Sequence, residues 1–163
     1  MSKIRLLILS LTSILLFSCT SSQNGNKIKL SISYIGGGYD GLILSNKLKS
    51  HLNNLNMLDN HSRFQIDASI SHTTNLYITN IDNTSDRERV NSSINLKIYD
   101  SELDCYTYEY EDNLSQFYVL AAGDKFISNK NAEEKIKEEN VDYFIKIFIN
   151  NLNNSKFNCN DKK

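Results

Sequence analysis

No surplus of positive charge runs through this sequence. Its 163 residues carry 18 Lys and Arg against 19 Asp and Glu. Without Lys3 and Arg5 of the leader treated below, 16 basic side chains stand against 19 acidic ones, a net charge of −3. Nucleic-acid binding requires a basic excess to neutralise phosphates, so that function class is excluded. Metal binding lacks its spacing: His51, His61 and His72 are ten and eleven residues apart, whereas zinc ligands come in short pairs. These three read as surface histidines. No Cys/His pair is poised for nucleophilic attack, and Glu109, Glu111 and Asp112 read as a solvated strand face among tyrosines. Nothing assembles nucleophile, base and oxyanion donors, so neither an enzyme nor a cofactor is expected. A membrane-spanning run is also missing. Leu6 to Phe17 is apolar but for Ser10, Thr12 and Ser13, well short of the roughly 20 residues a spanning helix needs. Proline is absent and asparagine abundant, from which no structural conclusion follows.

What is present begins at the leader. Lys3 and Arg5 form a short positive segment before the apolar run, the layout of a secretory signal. The run ends at Leu16-Phe17-Ser18-Cys19, which resembles the lipobox of bacterial lipoproteins. That resemblance implies removal of residues 1–18 and acylation of Cys19, palmitate included. An ordinary signal peptide with an incidental cysteine, or a short membrane anchor, is the alternative. Thr20 and Ser21 follow where an aspartate would resemble an inner-membrane retention signal, so the resemblance implies the outer membrane. Residues 19–26 then make the lipidated cysteine and a short polar tether.

The remaining chain suits one domain, residues 27–153, with a polar, frayed tail at 154–163. Ile28, Leu30 and Ile32 alternate with polar residues as in a half-buried strand, closed by Gly36-Gly37-Gly38. Leu44, Leu48, Leu52 and Leu55 recur at helical spacing. Period two returns in Phe64, Ile66, Ala68 and Ile70, in a run around Leu76 and Ile78, and in Val90 to Ile98. Between them, residues 82–86 are dense in turn formers. Tyr106, Tyr108 and Tyr110 line one strand face, as core under a helix or as an exposed stripe. A closing helix carries Ile136, Val141, Phe144, Ile145, Phe148, Ile149 and Leu152. Asn131 is placed to cap it, and Glu133 and Glu134 fall in its first turn. The fold expected is α+β: a two-layer sandwich, with a mainly antiparallel sheet of about four to five strands and two helices on one face.

Two features stay open at this level. Cys105 and Cys159 could pair in an oxidising compartment or remain free thiols, since sequence does not place their backbones. Gly36-Gly37-Gly38-Tyr39-Asp40-Gly41 satisfies a dinucleotide fingerprint, with Asp59 about 20 residues on. The following strands read as hairpin-linked, so a glycine-rich turn into the helix is the better reading.

The order lipobox, strand, helix, hairpin strands, helix resembles the lipopolysaccharide-assembly lipoproteins of the LptE family over roughly residues 27–153. The segments that carry it are the polar turn and strand start Asn83–Val90, the strand end Ile94–Asp100, Phe126–Asn129, and Asn131–Glu134. The resemblance implies a lipid-anchored plug of a large outer-membrane β-barrel that helps deliver lipopolysaccharide, facing the periplasm. It implies lipopolysaccharide contact at Arg87 and Arg89, whose guanidinium groups suit phosphate. Pairing of both with Asp86 and Glu88 is the competing reading. A lipoprotein regulating a cell-wall synthase is the alternative function, disfavoured by so short a tether.

Overall fold

The computed structural model describes residues 28–77, 87–120 and 126–155, together with Phe157 and Cys159. The expected signal peptide, Cys19, the tether and the turn at 82–86 lie outside the described residues. Six elements follow in order: β1 (Ser31–Gly36), α1 (Gly38–Asn54), β2 (Phe64–Tyr77), β3 (Arg87–Asp100), β4 (Cys105–Val119) and α2 (Phe126–Leu152). The strands form one sheet in the order β1-β2-β3-β4. Among the described residues the fold is α+β, with four strands and two helices.

The long strands β2, β3 and β4 pair antiparallel, each with its neighbour in sequence. Tyr77 faces Arg87 and Phe64 faces Asp100 across the first pair. β1 departs from the expectation of antiparallel neighbours, since it runs parallel to β2. Parallel partners need a crossover of about a dozen residues or more, and α1 supplies it. The fingerprint glycines therefore stand in a strand–helix–strand unit. Gly37 has φ 114° and Gly38 φ 59°. A Cβ at Gly37 would overlap the Ile70 carbonyl oxygen, and one at Gly41 would lie 2.6 Å from that of Gly36. These glycines are spent on packing the turn. Asp59 is also committed, its carboxylate accepting from the His61 backbone N–H at 3.0 Å.

One sheet face and both helices enclose the core. Ile66, Ala68 and Ile70 of β2 meet Ile94, Leu96 and Ile98 of β3, with Leu44, Leu48 and Leu52 of α1 and Val141 to Leu152 of α2 above. Each such large aliphatic or aromatic side chain contributes about 1.5–3 kcal/mol on full burial. A second, smaller cluster joins Val90, Tyr118 and Ile136.

α2 begins at Phe126, earlier than expected. Asn131 therefore lies inside the helix, and neither Glu133 nor Glu134 is in its first turn. Pairs four residues apart extend the helix: Glu133–Lys137 at 2.6 Å, Lys130–Glu134 and Lys135–Glu139 both at 3.8 Å. The expected tyrosine ladder is broken. Ile98 faces Tyr108 but Tyr99 faces Tyr106, so a bulge absorbs Thr107. Tyr108 and Tyr110 pack inward on Phe148. Tyr106 turns outward, against Tyr99 and Lys97, and donates to Asp67 at 2.8 Å.

The segment expected to fray after residue 153 is held at two points. Phe157 packs on Phe64 and Tyr108. Cys159 is joined to Cys105, with Cα atoms 5.8 Å apart.

Candidate functional site

Arg87 and Arg89 occupy alternate positions at the start of β3, so both belong to the outer sheet face, away from the helices. The register gives each a row of neighbours. Arg87 lies between Tyr77 and Val119, and Arg89 between Asn75 and Phe117. The rings of Tyr77 and Phe117 meet edge to face at 5.2 Å. Both rings and Val119 are exposed, as is Leu76 on the other face of the same strand end. Phe126 and Ile127, in the first turn of α2, are exposed as well, each at 74%. This end of the sheet thus combines two guanidinium groups with exposed apolar side chains.

The two arginines differ. Arg87 is exposed, whereas Arg89 is half-buried and its Nε is a buried donor without a hydrogen-bond partner. Glu88 does not neutralise it. That carboxylate alternates to the inner face and accepts from the Tyr118 hydroxyl. The contrast with Arg63, at the far end of the sheet, is sharp. Arg63 binds Asp100 at 3.2 Å and also Glu102, and its guanidinium lies 4.5 Å from the centroid of Phe64. Asp86, the other carboxylate considered for pairing, lies outside the described residues.

Polar groups separate the two core clusters. Asn140, wholly buried on α2, donates to Ser92 at 2.8 Å and accepts from Gln116 at 2.7 Å. With its oxygen accepting from Asn140, the Ser92 hydroxyl can donate to His72 Nδ1, 2.7 Å away. His72 is then neutral with its proton on Nε2. Burial, more than any neighbouring charge, lowers its pKa from 6.5. Thr74 extends the layer by donating to Glu133 at 2.7 Å. The Ser92–His72 contact is no nucleophile dyad: Ser92 is 2% exposed and serves as a structural link.

The other histidines fall where sequence put them only in part. His61 is exposed, but His51 is half-buried and lies 3.4 Å from Asp142, which Lys47 reaches at 2.8 Å. Desolvation works to raise the Asp142 pKa, but the Lys47 and His51 hydrogen bonds prevail and hold it below the usual carboxylate value. His72 is half-buried too, so the surface reading fails for two of the three. Among the described residues no group of His, Cys, Asp and Glu is arranged to hold a metal. No described helix is long and apolar enough to cross a membrane. The apolar neighbours of the arginines went unseen in the sequence because they come from β2 and β4, and only the strand register brings them to β3.

No family model matches the sequence, and no curated protein matches it. Solved structures do match in fold. Lipoprotein B from Nitrosomonas europaea aligns with TM-score 0.57 at 11% identity, over 76% of this chain and 80% of that one. The rare lipoprotein B from Shewanella oneidensis aligns with TM-score 0.55 at 8% identity, over 76% and 97%. A minor lipoprotein from Acinetobacter baumannii gives 0.54 at 13%, over 76% and 89%. The chain therefore has the α+β sandwich fold found in these bacterial lipoproteins. At such identities the likeness is one of fold alone.

Proposed function

We propose that the protein is an outer-membrane lipoprotein, anchored through Cys19 on the periplasmic side, that plugs and helps assemble the lipopolysaccharide translocon barrel. Its work is binding and not catalysis. The observation that carries this reading is the strand end where Arg89 keeps an unpartnered, half-buried guanidinium donor beside Arg87 and exposed aromatic and aliphatic side chains. Phosphate groups on an acylated glycolipid match both components: guanidinium binds phosphate through paired hydrogen bonds, and apolar side chains accept acyl chains. The fold shared with rare lipoprotein B supports it. So does the polar outer sheet face, since the lumen of a large barrel is itself polar.

The test is a detergent pull-down of the tagged lipoprotein from outer membranes, with mass spectrometry of what accompanies it. A large β-barrel in near-equal amount, protecting the domain from protease, is expected. Recovery of a cell-wall synthase, or of no barrel, overturns the proposal.

A further inference from the structure

Across the middle of the outer sheet face lies an open trough of about 410 Å³, within the roughly 300–1,000 Å³ range of small-ligand sites. Two cross-strand rows floor it, Ser71–Ser93–Asn113 and Thr73–Asn91–Ser115. No charged side chain lines it. The floor is low because these side chains are short, whereas the next rows carry longer ones. On one side stand Arg89 and Phe117, and on the other Asn95 bonded to Glu111. Three strands at a spacing of about 4.8 Å and two rows along them give a floor roughly 10 Å by 7 Å. That is the footprint of one or two sugar rings.

The chemistry of the lining selects among ligands. Hydroxyls and primary amides both donate and accept hydrogen bonds, as the hydroxyls of a saccharide do. Within one row Ser115 donates to Asn91 at 2.6 Å, and the Asn91 amide N–H remains to donate to a ligand. Phe117, 48% exposed, stands at the rim and offers a ring against which the C–H face of a sugar can lie. Arg89, in the same row, brings the buried Nε donor that nothing in the described chain engages. An anion on the sugar would complete it.

We propose that this trough seats the saccharide of a phosphate-bearing glycan, with the small polar rows meeting the sugar hydroxyls, Phe117 against a ring face and Arg89 on the phosphate. This rests on the function proposed above and assigns the glycan part of its ligand to the surface that adjoins the apolar strand end and shares Arg89 and Phe117 with it.

The experiment is calorimetric titration of the full lipidated protein in detergent with three probes. These are the deacylated, phosphorylated oligosaccharide of lipopolysaccharide, its dephosphorylated form, and inorganic phosphate. The phosphorylated oligosaccharide is expected to bind, the dephosphorylated form several-fold more weakly, and phosphate alone not measurably. Ser93→Ile fills the trough from an exposed position without adding charge and is expected to weaken binding at least tenfold with an unchanged melting temperature. Asn113→Ile, on the exposed face of an edge strand, repeats the test should the first variant fold poorly. Undiminished binding in a folded trough variant, or phosphate alone binding as well as the oligosaccharide, overturns the proposal. Loss of the barrel in the pull-down with retained, trough-dependent oligosaccharide binding would sink the proposed function and leave the trough. The reverse pattern would sink the trough alone.

Discussion

The Cys105–Cys159 link closes the base of the sheet, and replacing both cysteines by serine measures what that closure contributes. The two residues are 54 apart in sequence, and for a loop of that length the chain-entropy relation gives about 4 kcal/mol at 25 °C. A local effect adds to it. Phe157, two residues before Cys159, holds its ring 5.4 Å from Phe64 and 6.3 Å from Tyr108, and the segment after α2 is polar enough to leave the core once unpinned. A loss at the upper part of the roughly 2–5 kcal/mol seen for native disulfides is therefore expected. The assay is urea unfolding of a Cys19→Ser form, followed by far-UV circular dichroism. With a slope near 2 kcal/mol per molar urea, a loss of about 4 kcal/mol moves the midpoint by about 2 M. Cys105→Ser, Cys159→Ser and the double variant should shift it by similar amounts, since each removes one and the same bond. A loss below about 1 kcal/mol, or single effects that add, would refute the reasoning.

Five further outcomes follow from particular residues. Gly37→Ala forces a side chain onto φ 114° and into the Ile70 carbonyl, so a loss of about 3 kcal/mol or more is expected. Gly38→Ala, at φ 59° with nothing within 4 Å of its Cβ, should cost only about 1–2 kcal/mol in the same urea assay. Because burial lowers the His72 pKa from 6.5, the unfolded chain takes up the proton first as pH falls below 6.5. Stability should decline from there down to the folded pKa, by at most about 1.4 kcal/mol per pH unit, and His72→Gln should flatten that part of a melting-temperature profile between pH 7.5 and 5. Asn140→Leu leaves Gln116 without its acceptor and Ser92 without a donor, a loss of about 1–3 kcal/mol readable by the same melts. Arg87→Ala with Arg89→Ala should weaken lipopolysaccharide binding at least tenfold with little change in melting temperature; unchanged binding would reduce both to ordinary strand residues.

Alternation and helical spacing made most of the architecture readable. Val90 to Ile98 and Leu44 to Leu52 each bury the face their period marks. The failures have physical causes. Residues around Leu76 read as a separate run because polar His72, Thr73 and Thr74 interrupt the hydrophobic pattern. These residues are part of β2 all the same, because strand pairing to β3 continues through Tyr77 regardless of side-chain polarity. α2 starts before Asn131 because, although that residue has the chemistry of a cap, the pairs Lys130–Glu134 and Glu133–Lys137 favour continuing the helix through it. The tyrosine ladder failed at one inserted residue, Thr107, which flips Tyr106 to the other face. Of the candidate site, Arg87 and Arg89 were reached through the family resemblance. Phe117, Tyr77 and the polar rows were not, because cross-strand neighbours are a property of register and not of local sequence.

The two ends of the sheet are held together differently. At the base, Arg63 forms ion pairs with Asp100 and Glu102, the disulfide holds the chain end, and the larger core cluster lies between sheet and helices. At the other end a small cluster of Val90, Tyr118 and Ile136 is divided from that core by Asn140, Ser92 and His72. Polar bonds of this kind each contribute only about 1 kcal/mol net, whereas the packed base draws on many apolar side chains. Local opening should therefore start at the arginine end, where backbone protection comes from strand pairing with little core beneath it. Hydrogen exchange can read this directly. The amides of Val90 and Tyr118 should exchange faster than those of Ala68, Leu96 and Tyr110, which pair across the three long strands above the larger cluster. Equal protection at the two ends would mean that the polar layer does not divide the core, and that the sheet opens as one unit.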